Sequence, residues 1–352
     1  MERRDIQPGL INSFKKLQVI ILSYERPCYL REALNSVLRQ DLGRDLFEVI
    51  VSDNSKSTRV NVLMRREFPH INLIRRIPSV NPYDHFRKVA QEVTADFVVL
   101  FHDDDIMHPS YCTSVLEVLE AESDVMAVAT NGIIIDSKSK GELLFNQHAS
   151  RQTFSDKASF LSNYIEGSPN SGGIMPFPAY CYRRRALLIP ERPIAGPYTD
   201  VVILSAVFEL GKIVWLPVPL ISYRIHGQES TVLNIRAFSK LCRFYRNNGI
   251  SRDSPSFRQF RKVYWFLWYL RLKGVVRLRL YFLSSLPVPS SWLEARIHRA
   301  CLFPPDPRLH SKQVIPKILG VVWRFCALFN MGLGYSLYVI RKFRKEARIW
   351  NW

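Results

Sequence analysis

At 352 residues and 47% hydrophobic content the chain can bury a full core, so it reads as globular, with one large domain or two. Its six cysteines (Cys28, Cys112, Cys181, Cys242, Cys301, Cys326) show no paired spacing and it opens on charged MERRDIQPG, which argues against a secreted disulfide scaffold and for a reducing cytosolic compartment. The net charge of +18 is not spread evenly: residues 236–352 hold 23 Lys or Arg against four acids, leaving 26 against 27 before residue 236. A near-neutral front followed by a strongly basic rear speaks against a nucleic-acid-binding protein organised along its whole length.

The front alternates strand and helix signals. LQVIILSY (17–24) is a β-rich apolar run, and YLREALNSVLRQ then sets Leu30, Leu34, Val37 and Leu38 on one helical face. FEVIVSDNS predicts a second strand, VNVLMRREF a helix, INLIRR a strand, YDHFRKVAQEV a helix and DFVVLFHDDD a further strand. This alternation predicts an α/β fold with a mostly parallel sheet and helices on both faces. MAVATNGIIID (126–136) adds a strand, and EGSPNSGGIMPFPAY, with Gly172 and Gly173, reads as a loop over the sheet edge. TDVVILSAVFELG predicts a helix started by Thr199 or Asp200 and stopped by Gly211, before strand and turn in KIVWLPVPLISYRIHGQEST.

The rear differs in texture. Over residues 257–283, at ~100° per residue, Arg258, Arg261, Lys262, Lys273, Arg277 and Arg279 fall within an arc of roughly 160°, opposite Trp, Phe, Leu and Val. Such a basic amphipathic helix lies on anionic membrane surfaces. The apolar run 318–340 has the length of a membrane span, but Arg324 near its centre favours interfacial attachment over a span; a core helix is the other reading. Residues 1–235 and 236–352 are thus expected to be a catalytic domain and a basic, mainly helical, membrane-associated region.

Parallel sheets bind ligands beyond the carboxyl ends of their strands, where Ser23, Tyr24, Asp53, Asn54 and Asp103, Asp104 and Asp105 all fall. Three adjacent carboxylates at a strand end can hold a divalent cation, act as acid or base, or cap the next helix near Pro109. Mg2+ and Mn2+ are held by one or two carboxylates with substrate phosphates and water, which matches this cluster.

These motifs together resemble the family 2 glycosyltransferases, with the GT-A nucleotide-sugar-binding fold. VIILSYERPCYLREALNSVLRQ is similar to that family's opening strand and helix, VIVSDNSKS to its second-strand motif, FVVLFHDDDIMHP to its DxD motif, and GPYTDVVILSAVFELGKIVWLPVPLISYRIH to the stretch carrying the base and a closing Tyr-Arg-x-His. The likeness covers about residues 15–235. It implies Tyr24 against the nucleobase and Asp53 on the pyrimidine edge. Ser23, Arg26, Asp103, Arg87 and Arg224 fall around the donor, with Arg76 a further phosphate contact. It implies Asp104, Asp105 and His226 at a Mn2+ or Mg2+ ion, Asp105 acting directly or through water, and Asp200 as general base. One departure stands out: where many members carry an acid two places before the metal-binding Asp, this chain has His102, which leaves open which pair of aspartates is effective.

The resemblance implies an inverting, metal-dependent transfer from a UDP- or dTDP-sugar to a hydroxyl of a lipid-linked saccharide. The setting it implies is surface polysaccharide synthesis of the O-antigen or capsule type, with the enzyme peripheral on the cytoplasmic face of the inner membrane. Two other classes compete: a phosphoryl-transfer hydrolase with an aspartate nucleophile, and a non-catalytic membrane- or nucleic-acid-binding protein.

Overall fold

The computed structural model describes residues 15–261, apart from 142, 147–148, 166–176, 191–194, 196–197, 226–234, 256 and 259. His226, Gly172, Gly173, most of the expected amphipathic helix and the apolar run 318–340 lie outside the described residues. The chain divides into two compact units, Met1–Ile225 with Phe244–Ser251, and His226–Arg243 with Arg252–Trp352. The first unit holds the whole sheet.

Strand β1 (Leu17–Ser23) is buried at all seven residues, as expected where both sheet faces are covered. It pairs in parallel with β2 (Phe47–Asp53) and β4 (Phe97–His102), and β2 pairs in parallel with β3 (Asn72–Arg75). The buried glutamine of β1 is saturated: the Gln18 amide donates to Glu48 (2.9 Å) and Thr94 (3.1 Å) and accepts from the Thr94 and Ala95 N–H groups. A buried amide with every group satisfied ties β1 to β2 and to the approach to β4.

Helix α1 (Pro27–Val37) starts on a proline, which suits the first helical position, and buries Leu30, Ala33, Leu34 and Val37 as the spacing predicts. It ends at Val37 rather than running on to Gln40. The Gln40 side chain instead clamps the neighbouring loop, donating to the His108 carbonyl (2.7 Å) and accepting from the Cys112 N–H (2.8 Å). Helices α2 (Arg59–Glu67), α3 (Pro82–Glu92) and α4 (Tyr111–Ala121) follow in the expected order. α3 is capped by Asn81, whose side chain accepts from the Asp84 N–H.

The far half of the sheet is more mixed than the sequence suggests. After the two-residue β5 (Ile106–Met107) and α4 come β6 (Val125–Ile135), β7 (Leu143–Leu144), β8 (Gln152–Phe154) and α5 (Lys157–Ile165). β9 (Tyr180–Arg183), expected as the end of a loop, is a buried strand inserted antiparallel between β4 and β6. Helix α6 (Thr199–Ala206) leads to β10 (Lys212–Arg224), parallel to β6 and irregular around Pro217 and Pro219. The order along the sheet is β3-β2-β1-β4-β9-β6-β10-β5. Helix α7 spans Ile235–Asn247.

Beneath the edge, His85 of α3 is buried with Nε2 2.7 Å from the Ser52 hydroxyl, which also accepts from Arg76. Burial, aided by the Arg76 charge, depresses the His85 pKa to about 4. A histidine held neutral in the fold binds fewer protons than in the unfolded chain, so its contribution is full above about pH 6.5 and is lost as the pH falls toward about 4. His85→Asn should remove this acid sensitivity: in urea titrations between pH 7 and 4, the wild type should lose up to about 3 kcal/mol more than the variant. Parallel losses in the two proteins would contradict it.

Candidate active site

Parallel register sets the site. Ser23 pairs with Asp53 and Leu22 with His102, so β1, β2 and β4 deliver their last residues to one level of the same edge. β10 reaches that edge with Arg224, two residues beyond the pair of Ser222 with Ile106. Between β1 and α1 the chain turns at Glu25, whose φ of 60° is left-handed and disfavoured for a residue with a side chain. The turn is held by a bond from the Glu25 N–H to the Ser55 hydroxyl (2.7 Å), while the Glu25 carboxylate accepts from the N–H groups of Lys56 (2.8 Å) and Ser57 (2.9 Å).

Two of the three adjacent aspartates share one guanidinium, and the third is held from the end of β10. Asp103, with no exposure, accepts from the Tyr24 N–H (2.9 Å) and pairs with Arg26 (2.6 Å). The same guanidinium reaches Asp104 at 2.5 Å. Asp105, 1% exposed, accepts from the Arg224 N–H at 2.8 Å through Oδ1, while its buried Oδ2 has no hydrogen-bond partner. Burial pushes Asp103 up to about 6 against the pull of Arg26, and burial together with Asp104 pushes Asp105 well up. None of the three caps α4, whose N-cap is Ser110, so the capping alternative is set aside.

An orphaned buried carboxylate oxygen is the mark of a group awaiting a ligand. The Oδ2 of Asp105 lies 3.9 Å from His102 Nδ1, and one donor atom each from His102, Asp104 and Asp105 falls within 4.8 Å of the others. Donors around an ion at about 2.1 Å stand about 3 to 4 Å apart, so this set fits a divalent cation with modest closing. Burial lowers the His102 pKa, keeping the ring neutral and one nitrogen lone pair available.

Other expected donor residues are dispersed. Tyr24 is 47% exposed at the end of β1, an open aromatic surface beside the acids. Ser23 is buried next to Asp103. Asp53, fully buried, accepts from the Ser55 N–H (2.9 Å) and pairs with Arg75 (3.2 Å). Arg224, also expected at the donor, is likewise engaged internally. Its side chain serves the fold rather than facing a diphosphate: it donates to the Asp104 carbonyl (2.6 Å), Ser139 (2.8 Å) and Glu32 (2.7 Å), and stacks over Tyr29 at 4.6 Å. Arg76 is tied to Glu92 and Ser52, and Arg87 has Asp84 as its ion partner at 3.9 Å.

Asp200 lies in the first turn of α6, but Tyr198 is the N-cap and neither Thr199 nor Asp200 caps the helix. The Asp200 carboxylate accepts instead from the Tyr164 hydroxyl at 2.9 Å. Burial raises its pKa, a shift that strengthens it as a proton acceptor while the Tyr164 bond pulls the other way. Aromatic rings join the two ends of the site: His102 contacts Phe177 (6.1 Å), Phe177 contacts Tyr182 (6.0 Å), and Tyr182 stacks on Tyr180 (6.1 Å). Phe160 then links Tyr180 to Tyr164, the partner of Asp200. Neither Glu25 nor Tyr164 stands out in sequence, because an isolated acid in a turn and an isolated tyrosine in a helix carry no local signal.

Residues 18–177 match the family model described as glycosyl transferase family 2. An uncharacterized glycosyltransferase of Nostoc sp. is 30% identical over 217 residues, 60% of this chain and 65% of that protein. An uncharacterized glycosyltransferase of Haemophilus influenzae is 26% identical over 153 residues, 44% of this chain and 51% of that one. The chain thus spans about two thirds or less of the curated relatives it matches. Among solved structures, S. aureus TarS (residues 1–349), also determined in complex with UDP-GlcNAc, superposes with a TM-score of 0.54 over 76% of this chain and 78% of that one. At 14% identity that likeness speaks for the fold alone. Residues 18–177 therefore form a glycosyl transferase family 2 domain, built on a GT-A fold.

Proposed function

We propose that the chain transfers a sugar from a nucleoside-diphosphate sugar to an acceptor hydroxyl, with inversion. The observation that carries this reading is the buried, partnerless Asp105 oxygen facing His102 and Asp104 at the sheet edge, with a separately held carboxylate, Asp200, at the other end of an aromatic wall. A divalent cation held by His102, Asp104 and Asp105 would offset the negative charge of a leaving diphosphate. The protein's own part is division of labour. The exposed Tyr24 ring offers a face to a pyrimidine base. Arg26 pairs with Asp103 and Asp104 and orients them, and Arg224 fixes the loop from beneath. Asp200, aimed by Tyr164, removes the acceptor proton on the face opposite the departing diphosphate.

The acceptor we propose is a lipid-linked saccharide met at an anionic membrane surface, in surface polysaccharide synthesis of the O-antigen or capsule type, on the cytoplasmic face of the inner membrane. The basic balance of residues 236–352 supports this, as does α7, where Lys240, Arg243 and Arg246 are exposed while Phe238, Leu241, Phe244 and Tyr245 are buried. Among the described residues no helix is long and apolar enough to cross a membrane; the peripheral attachment proposed here rests on the basic surface.

Binding and turnover with a panel of nucleotide sugars, with and without Mn2+ or Mg2+, test the reading. One donor should bind in the presence of cation, and Asp104→Ala should abolish that binding. Asp200→Asn should keep the binding and lower turnover by about 10^2 to 10^4. Because the Asp200 pKa is raised, wild-type turnover should increase with pH as that carboxyl deprotonates. No donor binding, with both variants behaving as wild type, would refute the proposal.

A second expectation separates an acid kept for function from one kept for stability. Asp105→Asn retains the acceptor for the Arg224 N–H but removes the buried carboxylate oxygen that has no hydrogen-bond partner. The thermal midpoint of the cation-free variant should equal the wild type or exceed it, by about 1 kcal/mol in stability. A clear drop would mean that the carboxylate is structural.

A further inference from the structure

The histidine at position 102 stands where the family resemblance leads one to expect an acid, and its surroundings give that replacement a chemical meaning. His102 closes β4, in register with Leu22 of β1. Its Nδ1 is 3.9 Å from Asp105 Oδ2, too far for a hydrogen bond and close to the separation of two donors sharing one ion. Asp105 is 1% exposed and that oxygen has no partner, so it is a buried polar group aimed into the space the histidine faces. Asp104 supplies the third donor, within 4.8 Å of the other two. Arg26 also contacts Asp104, at 2.5 Å, so charge at this edge is already partly neutralised and an incoming cation gains less from bare charge than in a cluster of carboxylates alone.

We infer that His102 is itself a cation ligand, and that this nitrogen donor makes the site prefer a first-row transition ion such as Mn2+ over Mg2+. The inference rests on the transferase reading of the same edge and deepens it by giving the nitrogen donor a consequence for which ion is bound. Mg2+ demands oxygen donors in near-ideal octahedral geometry and gives up water reluctantly. Imidazole suits Zn2+, Cu2+, Ni2+ and Fe2+, and a mixed nitrogen and carboxylate set tolerates Mn2+ while penalising Mg2+.

The test uses the full chain and Mn2+ alone. Pulsed EPR of bound Mn2+ reads coupling to an imidazole nitrogen, and displacement by Mg2+ reads preference. The wild type should show the coupling, His102→Ala should lose it and bind Mn2+ about tenfold more weakly, and His226→Ala should keep it. His102→Asp, which restores an all-oxygen set, should bind without nitrogen coupling and release Mn2+ at Mg2+ concentrations about tenfold lower than the wild type requires. A wild type that binds no Mn2+, or binds it with no nitrogen coupling, overturns the inference, as does coupling that survives His102→Ala. Donor binding is scored separately. If it persists while the coupling fails, only the role of His102 falls; if the coupling holds while no nucleotide sugar binds, the transferase reading falls and the histidine ligand stands.

Discussion

Three like charges at the end of a buried strand are the constraint on which the rest of this edge depends. Asp103, Asp104 and Asp105 follow the end of β4, and Asp103 and Asp105 are buried there while Asp104 is partly exposed. Two elements make them tolerable: Arg26 and the Tyr24 N–H of the β1–α1 turn hold Asp103 and Asp104, and the Arg224 N–H at the end of β10 holds Asp105. Those partners fix the surrounding architecture in turn. The left-handed Glu25 brings Arg26 over the acids, and the Arg224 side chain is pinned by Glu32 and Ser139 and stacked on Tyr29, so its backbone N–H stays in place. Among these three acids Asp103 Oδ1 has its ion pair with Arg26, whereas Asp105 Oδ2, 3.9 Å from His102, has no hydrogen-bond partner, which is where stability yields to chemistry.

The same constraint explains why the residues divide into working and supporting groups. Asp53 and Arg224 lie at strand ends and carry the right chemistry for donor contacts, yet both are spent on internal pairs, Asp53 with Arg75 and Arg224 with Glu32. Tyr24, with nearly half its surface open, and the set of His102, Asp104 and Asp105 keep capacity for a ligand. Asp103 is fully enclosed by Arg26 and Tyr24, a poor setting for the nucleophile that a phosphoryl-transfer hydrolase would need.

The first half of the fold is legible in the sequence because its signals are local. The runs LQVIILS, FEVIVSD and FVVLFH are β-rich and bounded by polar turns, and the helices between them carry one apolar face each, so the parallel order and the convergence of strand ends follow. β9 is hidden: Tyr-Cys-Tyr-Arg follows a Pro- and Gly-rich stretch, and only pairing with β4 and β6 makes it a buried strand. Side-chain partners are harder still. Asp200 resembles a helix cap because it opens α6, whereas its partner, Tyr164, lies 36 residues away. Arg224 resembles a surface or phosphate-binding residue because nothing near it announces Glu32, 192 residues earlier. Such pairings arise from tertiary packing and leave no trace in periodicity.

The central claim is that the carboxylates at this edge are held ready for a cation and a diphosphate. A crystal structure with a nucleoside diphosphate and Mn2+ tests it most directly. The account predicts the ion within bonding distance of His102, Asp104 and Asp105, the diphosphate on that ion and the base against Tyr24. Density for the nucleotide elsewhere, with Arg26 still bridging Asp103 and Asp104 and the Asp105 oxygen still unpartnered, would contradict it.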